Sequence, residues 1–141
     1  MSKIREECGV FGVFANSLTD VASDVYYGLY ALQHRGQESC GIVVNDDGVF
    51  SEYKDVGLVN DVFTSNVIES LGSGNMAIGH VRYCTTGSGG RINAQPIVVN
   101  HVKGRMALAH NGNLVNSDEL RSELELQGSI FHTTSDTEVI S

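Results

Sequence analysis

The run Cys8-Gly9-Val10-Phe11-Gly12-Val13-Phe14 decides how this sequence is read. It is apolar with interleaved glycine, and so reads as a buried strand. The residues ahead of it, Met1-Ser2-Lys3-Ile4-Arg5-Glu6-Glu7, are polar and charged. A thiol beside glycine at the lip of such a strand marks a place that a substrate can approach closely. Cutting the Glu7–Cys8 bond would put that thiol on the N-terminal residue. One residue would then carry both a nucleophile and an amine base.

Working outward, Val21, Val25, Leu29 and Leu32 recur at helical spacing, with Tyr26, Tyr27 and Tyr30 broadening the face and Gly36 as the C-terminal cap. Gly41–Val44 and Val49–Lys54 read as strands around the hairpin turn Asn45-Asp46-Asp47-Gly48. After Gly57 a turn leads into a short segment, helical through Ile68. Met76–Tyr83 is a buried strand, and Gly87-Ser88-Gly89-Gly90 is a loop. Asn93–Pro96 leads into the strand Ile97–Val99, and Met106–His110 is a further strand. Asn116 or Ser117 caps a helix to about Gln127, with Asp118 and Glu119 suiting its dipole and Gly128 ending it. Ser135 and Glu138 then have capping-box spacing, and the sequence stops before two turns can form, so it reads as truncated. About six strands and three helical segments in mixed order, with hairpins, predict an α+β domain with a mostly antiparallel sheet.

The length of 141 residues fits one domain, and 41% hydrophobic with 18% charged residues is ordinary for a globular protein. A net charge of −8 argues against a nucleic-acid partner, which would call for a basic patch. The N-terminus has no apolar core of a signal peptide, and no apolar run approaches the roughly 18 residues of a membrane span. A cytoplasmic protein with no membrane partner is expected. The cysteines, Cys8, Cys40 and Cys84, are widely spaced and without a Cys-x-x-Cys pair, so no zinc site is expected. Cys40 and Cys84 read as small buried hydrophobes.

Four further segments gather polar residues at strand or helix ends: His34-Arg35-Gly36-Gln37-Glu38-Ser39, Gly79-His80-Val81-Arg82-Tyr83-Cys84-Thr85-Thr86-Gly87, Ala109-His110-Asn111-Gly112-Asn113 and Ser135-Asp136. Each has a plain structural reading: a helix C-cap, a hydrogen-bonded core histidine, a type I′ turn at Asn111-Gly112, a helix cap at Asp136. Together they supply what a thiol nucleophile needs. A terminal amine and a thiol both lie close enough to neutral pH in their ordinary titration for proton exchange between them on one residue to be easy. The Asn111 side-chain N–H and the Gly112 backbone N–H can converge on a developing oxyanion. Arg82 can grip a carboxylate, and Asp136 an ammonium. Carboxylate, ammonium and a carbonyl to attack describe an amino acid ending in an amide, and glutamine fits.

On these residues the chain resembles the class II glutamine amidotransferases, which are N-terminal-nucleophile hydrolases. Tyr27-Gly28-Leu29-Tyr30-Ala31-Leu32-Gln33-His34-Arg35-Gly36-Gln37-Glu38-Ser39 is similar to the branch that uses phosphoribosyl pyrophosphate. Ala107–Asn116 and Ser135-Asp136-Thr137-Glu138-Val139 fit as well. The resemblance runs from Cys8 to the end and implies an α/β/β/α sandwich, incomplete at its C-terminus. It implies Cys8 as nucleophile with its own amine as base, and Asn111 and Gly112 as oxyanion hole. Arg82 would bind the glutamine α-carboxylate, with Thr85 and the loop to Gly87 closing over it, and Asp136 the α-ammonium. His34, Arg35 and Gly36 would be a structural signature, and Asn93 and Gln95 structural residues. Residues 1–7 would be a removed propeptide and 8–141 part of the amidotransferase domain. Ammonia would pass to phosphoribosyl pyrophosphate in a missing domain, giving phosphoribosylamine in the first committed step of purine synthesis. No cofactor is expected in this segment. Mg²⁺, and in leader-bearing members an iron–sulfur cluster, would belong to the missing domain of a homo-oligomeric enzyme. The alternatives are another class II amidotransferase, of the glucosamine-phosphate synthase or asparagine synthetase type, an inert fragment, or a non-catalytic module. Cys84 and Cys40 depart from the family's usual small residues.

Overall fold

The computed structural model describes residues 8–34, 37–83, 90–112 and 114–141. The leader, Arg35, Gly36, the segment 84–89 that holds Cys84, Thr85 and Gly87, and Asn113 lie outside them.

Among the described residues the strands are β1 (Gly9–Thr19), β2 (Gln37–Asp46), β3 (Val49–Val56), β4 (Gly74–Tyr83), β5 (Ile97–His101) and β6 (Gly104–Leu108). The helices are α1 (Val21–Leu32), α2 (Val59–Val62), α3 (Ser65–Leu71), α4 (Ser117–Leu126) and α5 (Asp136–Ile140), with a 3₁₀ turn at Arg91–Asn93. One sheet has the order β1-β4-β2-β3 and a second pairs β5 with β6, all antiparallel. The α+β expectation holds, though the segment read as helical through Ile68 divides into α2 and α3.

The first sheet buries one face against α1. Val21, Ala22, Val25 and Leu29 are fully buried there with Cys40, Ile42, Val44, Ala77 and Val81. Each such Val or Leu is worth about 1.5–3 kcal/mol. Burial pushes the Cys40 thiol up to about 12, which keeps it an inert core residue. Tyr27 and Tyr30 do not broaden the buried face. They are 68% and 53% exposed, because only one stripe of a helix can face a sheet. α1 ends at Leu32, with Gln33 as its C-cap at an extended ψ of 125°; the expected cap Gly36 lies outside the described residues. Asp20 caps its start through Ser23 N.

β1 differs from its reading as a buried strand. It is an edge strand: Phe11, Val13 and Ala15 pack toward α1, while Val10 and Phe14 on the other face are 43% and 68% exposed. The turn at Asp47-Gly48 is as read, with φ of 48° and 89°. Asn111-Gly112 is no hairpin turn, since β6 ends at Leu108 and the chain continues to α4. Asn116 occupies the N-cap of α4 without a side-chain cap bond. Ser135 does cap α5 through Thr137 N, but Glu138 does not complete a capping box. Its carboxylate accepts from His132 N, Thr133 N and the Thr133 hydroxyl. Burial pushes Glu138 up, but those bonds outweigh it and leave it below the usual glutamate range.

Strand alternation turns His80 and Arg82 away from α1, toward the second layer. There the chain before β5 crosses β2 closely: a Cβ on Gly41 would lie 2.2 Å from the Gln95 carbonyl oxygen. Lys54 Nζ donates to Pro96 O at 3.1 Å, and Arg105 lies over the Phe50 ring. His80 is fully buried and donates from Nε2 to His110 O at 3.3 Å, so Nε2 carries the proton of a neutral ring. Its Nδ1 is buried without a hydrogen-bond partner. Burial, reinforced by the Arg82 charge, pulls the His80 pKa down to about 4.

Two predictions follow from this packing. Gly28 sits against Phe11, and an added Cβ would meet the ring at 2.4 Å. Gly28→Ala gains about 1 kcal/mol of helix propensity but overpacks a ring at a cost of about 1–3 kcal/mol. A contact this short falls at the upper end, so a net loss of about 1–2 kcal/mol is expected, read as a lower denaturant midpoint at unchanged slope. An unchanged or higher midpoint contradicts this packing. For His80, the unfolded chain takes up a proton near 6.5 and the folded one near 4. Stability is therefore insensitive to this group above pH 6.5 and falls as pH drops toward 4, with about 2 kcal/mol lost by pH 5. His80→Gln keeps a donor for His110 O and does not titrate, so it should flatten the difference between pH 7 and pH 5.

Candidate active site

The ladder of β1 on β4 ends at Gly9↔Val81, which puts Cys8 level with Arg82 one step beyond it. The half-buried Cys8 thiol accepts from Tyr83 N at 3.3 Å and donates weakly to Tyr83 O at 3.7 Å. Tyr83 in turn holds the end of α1. Its hydroxyl accepts from His34 N and lies 3.3 Å and 3.1 Å from the carbonyl oxygens of Leu32 and His34. His34 meets the helix end through its backbone N–H and carbonyl.

Arg82 donates from Nη1 to Asn93 O at 2.9 Å, and the rest of its fork has further donors to offer. The Asn93 side chain fastens Thr134, donating to its hydroxyl at 2.7 Å and accepting from its N–H at 3.1 Å. Two residues on, Asp136 opens α5 and accepts from Leu114 N through Oδ2 at 2.7 Å. The turn before Asp136 is held from behind by Arg121. That guanidinium donates to Thr133 O and Ser135 O and lies over the Phe131 ring.

Asn111 and Gly112 are exposed and follow His110, whose backbone is fixed at both ends. Its N–H donates to Gln95 Oε1 at 2.8 Å and its carbonyl accepts from His80. Gly112 lies against the His110 ring, where a Cβ would come within 2.9 Å of Nε2.

Hydrogen bonds thus join Cys8 to Tyr83, Arg82 to Asn93 and Asn93 to Thr134, and a separate one joins Leu114 to Asp136, two residues beyond Thr134. Among the described residues no ion pair joins Arg82 to Asp136, so neither charge neutralises the other. Thr85 and Gly87 lie outside the described residues. In the sequence Asn93 and Gln95 read as structural, and nothing marks Arg121. The available signal was two amide side chains beside the sole proline, at the mouth of an apolar strand. Among the described residues no three His, Cys, Asp or Glu side chains gather as a metal site needs, and no helix is long and apolar enough to cross a membrane.

Residues 67–141 match the family model described as a glutamine amidotransferase domain. The chain is 52% identical over 134 residues to amidophosphoribosyltransferase of Methanocaldococcus jannaschii, covering 95% of this chain and 28% of that protein. It is 48% identical over 139 residues to the Bacillus subtilis protein of the same name, covering 98% and 29%. Among solved structures, glutamine phosphoribosylpyrophosphate amidotransferase from B. subtilis, complexed with ADP and GMP, matches with a TM-score of 0.79 at 46% identity, over 93% of this chain and 28% of that one. A structure described as the allosteric regulatory enzyme of purine biosynthesis matches with a TM-score of 0.82 at 48% identity, over the same shares. The chain therefore spans less than a third of the length of these relatives. Matched by that model over more than half of its length, the chain belongs to the glutamine amidotransferase domain family.

Proposed function

We propose that this chain is the glutamine-hydrolysing part of an amidophosphoribosyltransferase. The observation that carries the reading is the thiol of Cys8 at a strand end level with Arg82, whose guanidinium is bonded to Asn93 O, while the Asn93 side chain fastens Thr134 in the turn that leads into Asp136. A cation and an anion held separately suit a zwitterion, and the thiol suits the amide at its far end.

In this reading the Glu7–Cys8 bond is cut and Cys8 becomes the N-terminal residue. Its amine takes the thiol proton, and the thiolate attacks the glutamine side-chain carbonyl carbon. The Asn111 side-chain N–H and the Gly112 N–H receive the oxyanion, each such donor being worth roughly 2.7–4 kcal/mol. The C–N bond breaks, the nitrogen takes the proton back from the amine, and ammonia leaves a γ-glutamyl thioester on Cys8. Water then adds to the thioester, giving glutamate and the free thiol. Arg82 holds the α-carboxylate, Asp136 the α-ammonium, and Thr85 closes over them. The ammonia displaces pyrophosphate from phosphoribosyl pyrophosphate in the segment of the enzyme outside this chain, giving phosphoribosylamine for purine synthesis. Mg²⁺ for that step, and any iron–sulfur cluster, are assigned to the same segment.

Cys8→Ala in the full-length enzyme should abolish glutamine-dependent product formation and spare ammonia-dependent formation; undiminished glutamine hydrolysis would end the assignment. Asp136→Asn keeps an acceptor for Leu114 N and removes only the charge. It should raise KM for glutamine roughly tenfold to a hundredfold, since a hydrogen bond to a charged group is worth about 1.5–3 kcal/mol. An unchanged KM would remove Asp136 from the site. Mass spectrometry of the mature enzyme should find Cys8 as the first residue.

A further inference from the structure

Gln95 occupies a place that its sequence reading as a structural residue does not capture. It is buried, at 6% exposure, on the chain that passes over Gly41 between the two sheets. Its amide is used at both atoms. Oε1 accepts from His110 N at 2.8 Å, and Nε2 donates to the Thr137 hydroxyl at 3.0 Å. His110 stands immediately before Asn111-Gly112, and Thr137, fully buried, immediately after Asp136. These two stretches are far apart in sequence, and one planar amide spans them.

We propose that Gln95 is a positioning residue that sets the oxyanion pair and the ammonium-binding carboxylate in register, so that one rigid group fixes both ends of the substrate. The inference rests on the roles given above to Asn111, Gly112 and Asp136. Geometry supports it in three ways. The amide is planar, so its two hydrogen-bond directions are fixed relative to each other. Its backbone is wedged where β2 has no side chain, so it cannot follow a moving loop. Asn93, two residues earlier, uses its carbonyl on Arg82 and its side chain on Thr134, so the same short stretch also sets the carboxylate-binding end. Misplacement by about 1 Å at such a site costs on the order of a hundredfold in rate.

The test uses the full-length mature enzyme and steady-state glutamine hydrolysis. Gln95→Leu removes both bonds and should lower kcat about a hundredfold while raising KM for glutamine. Thr137→Ser keeps the hydroxyl that accepts from Gln95 Nε2 and so spares both bonds. It should hold kcat and KM within a few-fold of the parent, on the same positional argument. Thr137→Val cuts only the α5 arm and should raise KM several-fold with kcat little changed, a split that general loosening would not give. If Gln95→Leu fails to fold, Thr137→Ser and Thr137→Val still decide the question. The proposal is overturned if Thr137→Ser is as impaired as Thr137→Val, if Thr137→Val loses kcat and not KM, or if ammonia-dependent product formation falls in parallel with glutamine hydrolysis. Retention of hydrolysis by Cys8→Ala, measured alongside, would instead refute the underlying assignment of the nucleophile.

Discussion

The central strand β4 is packed on both faces, and that constraint organises the rest of the molecule. One face carries Ala77 and Val81 into the core under α1. The other carries His80 and Arg82 toward the second layer. Polar groups there need partners, because an unsatisfied buried donor costs about 1–3 kcal/mol. The second layer supplies them from its backbone: His110 O receives His80, and Asn93 O receives Arg82. The loops that bear these carbonyls are drawn to β4 by this need, and they bring Asn111, Gly112 and the 134–137 turn with them.

The site is therefore assembled from a fixed half and a tethered half. Cys8 and Arg82 belong to the fixed half, set by the β1–β4 ladder and by Tyr83, which joins the thiol to the end of α1. Asn111, Gly112 and Asp136 belong to the tethered half, whose backbone is held by side chains. Asn93, Gln95, Arg121 and Glu138 do that work through buried or half-buried bonds to main-chain and hydroxyl groups. The two charged members, Arg121 and Glu138, bond to main-chain and hydroxyl groups and not to an opposite charge among the described residues. His80 is part of the same scheme and is kept neutral by burial, which suits a donor to a carbonyl.

Much of the fold was legible in the sequence. The helix over Val21–Leu32 matched its periodicity, and Asp47-Gly48 matched its turn, because both depend on local spacing and local φ. Cys40 behaved as a small buried apolar group. The errors were of another kind. Reading β1 as a buried strand missed that it lies at the edge of the sheet among the described residues, and adding Tyr27 and Tyr30 to the helix face missed how narrow the contact with a sheet is. The capping box at Ser135 failed by one partner, since Glu138 found three closer donors behind it.

The sequence by itself determined the chemistry on offer: a thiol before a strand, a guanidinium at the end of another, an amide next to glycine, and a carboxylate at a helix start. These are properties of residue type and local position, and they need no partner to be recognised. Only the tertiary structure decided which amide side chains serve the site. Asn93 and Gln95 look like ordinary loop residues, and their importance lies in bonds to residues 15 to 42 positions away. Gln95 reaches its partners where the chain crosses β2 at Gly41, whose missing side chain leaves room for the Gln95 backbone.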